Sequence, residues 1–287
     1  MNNNKLNILV FTSEFPPLPG GIGNHSYNLA KNLHKNGFKV RVIADQRTKS
    51  NLESDFDLEQ DFDIKRIPLR RLRPLMYINR IIKLFILTKN TDVVIATGKF
   101  PLWNVAFLSL FSKRNYRAVV HGTEVNFTRP VLRKSINWSL KRFSKIIAVS
   151  KYTKSLISHL SLKHVVVIPN GVNIEDSASQ INENSVKLEL QGHPKLLTVG
   201  NITERKGQIN VLIHLPELIK SFPKAHYHCV GFPTEKDKVL KLVTTLQVEK
   251  YVTFHGHVNH NQLETFLQKA DVFVMLSNVT PSGDVEG

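Results

Sequence analysis

The chain of 287 residues is poor in cysteine, in acidic side chains and in long apolar runs. Its single cysteine, Cys229, rules out an internal disulfide and fits a reducing compartment. That cysteine lies within an apolar run, where core packing is its expected role. No stretch approaches the roughly 20 apolar residues of a membrane-spanning helix; residues 102–111 come nearest and are interrupted by Asn104. Residues 1–5 lead into an apolar run, 8–11, that is too short for a secretory signal, so none is expected. There is no repeat at a solenoid period and no low-complexity tract. Acids are scarce relative to bases, with 23 Asp and Glu against 39 Lys and Arg, and the formal charge is +16.

The basic excess gathers in two runs that contain no acid. The first is Lys65, Arg66, Arg70, Arg71, Arg73, Arg80, Lys83 and Lys89. The second is Arg129, Arg133, Lys134, Lys141, Arg142, Lys145, Lys151 and Lys154. Bulky apolar side chains are interleaved with both, among them Leu75, Tyr77 and Ile78 in the first and Val131, Ile136 and Trp138 in the second. A basic surface can serve nucleic acid or an anionic membrane face, and the apolar interleaving favours the membrane. A solvated face of no special purpose is the plain alternative.

Residues 6–11, 38–44, 92–96, 117–120, 145–149 and 165–168 are short apolar runs separated by helical or loop segments, the first helix running from about 24 to 36. Strands that alternate with helices predict a parallel sheet covered on both faces. Residues 173–193 are polar and lack aromatics, which suits a linker. A second alternating series follows, with strands at 196–199, 226–230, 251–255 and 271–276 and helices at 208–220, 235–246 and 261–269. The expected class is α/β, with two Rossmann-like domains facing across a cleft, 1–173 and 194–287, joined by a linker at 174–193. After its last strand the second series reads S-N-V-T-P-S-G-D-V-E-G, with no helix to follow. The second domain is therefore expected to be incomplete.

The chain is organised around residues 196–207, L-L-T-V-G-N-I-T-E-R-K-G. An apolar strand ends at Gly200, and Arg205, Lys206 and Gly207 stand where the next helix starts. Ligands bind beyond the carboxyl ends of strands in such sheets. A helix N-terminus there offers unpaired N–H groups and partial positive charge, and the added guanidinium and ammonium suit a diphosphate. Gly21-Ile22-Gly23 invites a dinucleotide reading, with Asp45 placed like a ribose-binding acid. The segment 12–19, with three prolines, separates that loop from its strand, and Ser26 takes the third glycine position, both of which argue against it. His226-x-His228 and His255-x-His257 each set two imidazoles on one strand face, but such histidines more commonly cap hydrogen bonds than bind zinc.

The order P-P-L-P-G-G-I-G, H-G-T-E at 121–124, V-I-P-N-G-V at 167–172, V-G-N-I-T-E-R-K-G and D-V-E-G resembles the retaining family-4 glycosyltransferases of the GT-B fold. The resemblance implies that Gly20 and Gly21 line the loop approaching donor diphosphate and acceptor. It implies that His121 contacts the transferred sugar and that Arg205 and Lys206 hold the diphosphate as it leaves. Glu286 matches the first glutamate of the family's E-x7-E motif, which hydrogen-bonds sugar hydroxyls; the second would fall beyond Gly287. The expectation is thus a C-terminally truncated member, a remnant, or half of a split enzyme completed by a second chain. The implied reaction moves a hexose-type sugar from a nucleotide-diphosphate donor to a lipid-linked or surface-glycan acceptor with retention. No metal and no cofactor beyond the nucleotide-sugar substrate is implied. A cytoplasmic protein peripheral to the inner membrane face, with no nucleic-acid partner, is expected; a basic nucleic-acid-binding protein is the competing class.

Overall fold

The strands carry apolar side chains on both sides, so each must be covered twice, and helices supply both covers. The computed structural model describes residues 5–68, 73–171, 188–232 and 234–278. The chain divides into two units, Met1–Asn170 and Gly171–Glu286. In the first, β1 (Asn7–Thr12), β2 (Lys39–Asp45), β3 (Asp63–Ile67), β4 (Val93–Thr97), β5 (Asn115–Val120), β6 (Lys145–Ala148) and β7 (Val165–Val167) form one parallel sheet in the order 3-2-1-4-5-6-7. The order reverses between β1 and β4, where Thr12 and Thr97 are register partners.

Helices α1 (Gly21–Lys35) and α2 (Leu52–Leu58) cover one face, where Ala30 and Phe56 meet Ile8, Val10 and Val42. Helices α3 (Arg73–Thr88), α4 (Lys99–Leu108) and α5 (Pro130–Leu140) cover the other, with Leu84, Leu102 and Ile136 against Leu9, Phe11 and Ile43. A short helix, α6 (Lys151–Leu156), is capped by the Ser150 hydroxyl, which accepts the Thr153 N–H at 2.9 Å. Helix α1 begins at Gly21 rather than near residue 24, because the Gly20 carbonyl already accepts the Asn24 N–H at 2.9 Å. Gly20 and Gly21 are therefore the cap and first residue of a helix, not the middle of a loop.

The second unit holds β8 (Lys195–Val199), β9 (His226–Val230), β10 (Val252–Gly256) and β11 (Val272–Phe273) in a parallel sheet ordered 10-9-8-11. Its helices are α7 (Gln208–Ser221), α8 (Lys236–Thr245) and α9 (His260–Lys269). The Asn259 side chain and Gln262 form a reciprocal capping box at the start of α9. Strand β11 is shorter than the expected 271–276. After Val274, whose N–H still reaches Leu197 O, the chain leaves β8, and Asn278 N–H donates to Arg205 O at 2.9 Å. Cys229 is buried among Tyr227, Val239 and Val243, and burial pushes its thiol up to about 12. Most of the expected linker, residues 174–187, lies outside the described residues. Of the remainder, Leu188 and Leu190 pack on Leu197, Val230 and Phe266 of the second unit.

The first basic run is not a uniform surface stripe. Arg66 pairs with Asp57 at 2.7 Å and Glu53 at 3.3 Å, with little of any of the three side chains exposed. Arg80 is buried on Asp45, and Lys83 donates to the Arg66 carbonyl. Burial drives the pairing, since a charge removed from water needs a counter-charge within reach.

Candidate functional site

Each unit places its sequence-predicted residues at the carboxyl ends of its strands. In the first, His121 follows β5 directly. Its N–H donates to Glu124 Oε1, which closes the turn, and its Nε2 shares a hydrogen bond of 2.9 Å with Thr97 Oγ1 at the end of β4. His25, from the first turns of α1, packs edge-on against it with ring centroids 4.8 Å apart. Burial, followed by the neighbouring His25, pushes the His121 imidazole down to about 4, and burial lowers His25 as well. Both rings are thus neutral at physiological pH, suited to hydrogen bonding rather than to holding an anion. The buried His25 Nδ1 has no hydrogen-bond partner among the described residues.

Glu124 is 3% exposed; burial raises its carboxyl, and the backbone N–H of His121 opposes that rise. Its role is to fix the turn that presents His121. A Cβ on Gly20 would meet the Glu14 carboxylate at 2.3 Å, whereas one on Gly21 would meet nothing within 4 Å. The first glycine admits Glu14, and the second leaves the start of α1 open.

In the second unit the segment after β8 turns through a 3₁₀ helix, Glu204–Lys206, into α7. Gly207 makes the turn in the left-handed region, at φ 75°, and caps α7. The Lys206 stem lies over Gly200, where a Cβ would stand 3.2 Å from Lys206 Cε. Gln208 is buried, and its amide donates to the carbonyls of Gly200 and Asn201 at 3.3 and 3.2 Å. Arg205 and Lys206 thus come from a turn pinned on two sides: by Gln208 at the start of α7, and by the 276–278 segment, whose Asn278 N–H donates to Arg205 O.

A cavity of about 220 Å³ opens beyond β9 and β10, lined by Ile202, Gly231, Val239, Leu240, Phe254, His255 and Gly256. Its lining is apolar apart from His255, whose imidazole burial pushes down to about 4, helped by His228 and His226. His228 shares a hydrogen bond with His255, Nδ1 to Nε2 at 3.0 Å, and another with Gln191 O through Nε2 at 3.0 Å, while His226 Nε2 bonds Thr253 Oγ1 at 2.8 Å. Among the described residues no group of three or more His, Cys, Asp or Glu is placed to hold a metal ion. Two Asp-x-Asp pairs occur, at Asp55 and Asp57 and at Asp61 and Asp63. Asp57 is taken by Arg66, and Asp63, at the amino end of β3, by Arg41 and Lys65. Glu286 lies outside the described residues.

Sequence reasoning missed Thr97, His25 and Gln208. The available signal was polar residues ending apolar strands, Thr12 and Thr97, and a glutamine directly after the Gly207 turn. Asp45, weighed above as a ribose-binding acid, is engaged by Arg80.

The model of Glycosyltransferase Family 4 matches residues 19–176, and that of Glycosyl transferases group 1 matches residues 180–287. The chain is 22% identical to the alpha-monoglucosyldiacylglycerol synthase of Acholeplasma laidlawii, over 97% of this chain and 76% of that protein. It is 24% identical to a GDP-mannose-dependent monoacylated alpha-(1-6)-phosphatidylinositol monomannoside mannosyltransferase of Corynebacterium glutamicum, over 97% and 74%. Among solved structures, a glycosyltransferase from Rickettsia africae superposes with a TM-score of 0.73 at 21% identity, covering 97% of this chain and 74% of that one. Anabaena Alr3699/HepE in complex with UDP-glucose gives 0.70 at 17% identity, covering 96% and 75%. The structural likenesses show a shared fold. The family-4 match spans more than half of the sequence, and the chain belongs to glycosyltransferase family 4.

Proposed function

We propose that the chain transfers a hexose-type sugar from a nucleotide-diphosphate donor to a lipid-linked or surface-glycan acceptor, with retention and without a metal, at the cytoplasmic face of a membrane. The observation that carries this reading is the pinned turn at Glu204–Lys206, which sets one guanidinium and one ammonium before the N-terminus of α7 at the topological switch between β8 and β11. As the bond from the anomeric carbon to the phosphate oxygen breaks, negative charge grows on the departing diphosphate. Arg205, Lys206 and the first N–H groups of α7 stabilise that charge, and because the turn is braced they need no rearrangement to do so. The acceptor hydroxyl gives its proton to the departing phosphate oxygen as it attacks from the same face.

The apolar cavity beyond β9 and β10 accepts the flat base of the nucleotide. His121, held neutral, donates or accepts a hydrogen bond to the transferred sugar. The relatives named for a glucosyldiacylglycerol and a phosphatidylinositol mannoside support a lipid acceptor. The test is release of nucleoside diphosphate from a panel of UDP-, GDP- and ADP-sugars in the presence of membrane lipid extract, with the product's anomeric configuration read by NMR. Release from one donor with an alpha product is expected. A beta product from an alpha-linked donor would overturn retention, and metal-chelator sensitivity would overturn metal independence.

A further inference from the structure

Helix α3 buries one side and exposes the other, and the exposed side is apolar. Arg80, Leu84 and Thr88 are buried in the first unit. Leu75, Ile78, Ile82, Phe85 and Ile86 occupy the opposite side at helical spacing, each between 46% and 58% exposed. Helix α4 packs against α3, and Phe107 in its last turn and Leu110 and Phe111 just after it are also exposed, Phe111 by 68%. Arg114 Nη2 donates to Lys89 O at 3.1 Å and ties the two segments together. Large apolar side chains exposed together along one helix side mark an interaction site, unlike scattered exposed residues.

Charge says what covers it. From residue 64 to residue 170 the only acids are Asp92 and Glu124. Asp92 accepts the Asn7 N–H at 2.7 Å, and Glu124 is buried. Lys89, directly after α3, and Lys113 and Arg114, just after Phe111, are exposed. A second copy seated on this face would set like charges against each other. An anionic lipid surface would pair with them.

We propose that this face, centred on α3, inserts into the interfacial layer of an anionic bilayer, with the helix lying in the membrane plane. Arg66 and Arg80 are buried in ion pairs, so apolar insertion holds the contact and the remaining exposed charges select the lipid. The proposal concerns the first unit alone and stands whether or not the donor reading does.

The test is co-sedimentation of the full chain with vesicles of equal parts phosphatidylglycerol and phosphatidylcholine, and with phosphatidylcholine alone. An Ile82→Gln/Ile86→Gln variant runs beside it, with thermal unfolding as the fold control; both changes point outward and leave the core intact. The expected result is binding to the anionic vesicles that largely survives about 0.5 M NaCl, where surface electrostatics are screened. The partition coefficient should fall at least tenfold in the variant. Equal binding by the variant, or complete loss of wild-type binding in salt, would overturn insertion. Equal binding to phosphatidylcholine alone would overturn the charge selection. A dimer seen by analytical ultracentrifugation without lipid, and lost in the variant, would assign the face to a second copy instead.

Discussion

An Arg80→Ala variant will be less stable than the wild-type chain by about 3–5 kcal/mol, the usual loss when one partner of a buried ion pair is removed. Arg80 and Asp45 are 5% and 6% exposed, and the guanidinium grips both carboxylate oxygens, Nε reaching Oδ1 at 2.9 Å. The guanidinium also lies over Tyr77 and Phe100, 5.1 and 4.8 Å from their ring centres. Burial raises the Asp45 carboxyl and Arg80 opposes the rise. Without the arginine the folded-state pKa climbs further above its unfolded value. The sign follows from linkage: the folded state then binds more protons than the unfolded one, so the deficit is largest at neutral pH and shrinks as pH falls through the raised pKa. Urea titrations at pH 7 and pH 5 measure both effects. A loss below about 1 kcal/mol at pH 7, or a deficit that grows on acidification, would contradict this account of the pair.

Gly207→Val will be strongly destabilising to the second unit, costing about 3 kcal/mol or more. The left-handed backbone alone costs a side-chain-bearing residue about 1–2 kcal/mol. A Cβ here would also sit 1.8 Å from Leu276 O and 2.3 Å from its carbon, which are backbone atoms that cannot swing aside. Relief requires moving residues 276–278. That move breaks the Asn278 N–H to Arg205 O bond and the Asn210 amide bond to Leu276 O, 2.9 Å each. Gly256 supplies the control, with φ 70° and nothing within 4 Å of its missing Cβ. Gly256→Val should show the backbone cost and little else. Thermal unfolding of the two variants separates clash from conformation, and equal losses would mean that the 276–278 segment does not brace the turn.

The strands were legible because parallel strands covered on both faces must read as short continuous apolar runs, as residues 8–11 and 93–96 do. The helices were legible from spacing, and the strand-end motifs at His121 and at Arg205-Lys206 from their position after those runs. What stayed hidden depends on partners far away in sequence. Nothing local in Arg66 or Arg80 shows burial, because Glu53, Asp57 and Asp45 reach them only once β2, β3 and α2 are assembled. The early end of β11 depends on Asn278 finding Arg205. His25 and Thr97 join His121 only when α1, β4 and β5 share one sheet end. The exposed side of α3 was visible as apolar residues among bases, but only the packing shows that those bases partly turn inward while the apolar residues face out.

The central claim is that Arg205 and Lys206 hold a donor diphosphate. It is tested most directly by thermal-shift titration of the full chain with UDP, GDP and ADP, beside an Arg205→Ala/Lys206→Ala variant of unchanged ligand-free stability. The account predicts stabilisation that grows with the concentration of one nucleotide and is lost in the variant, because ligand binding to the native state alone raises its stability. Equal stabilisation of wild type and variant would contradict it.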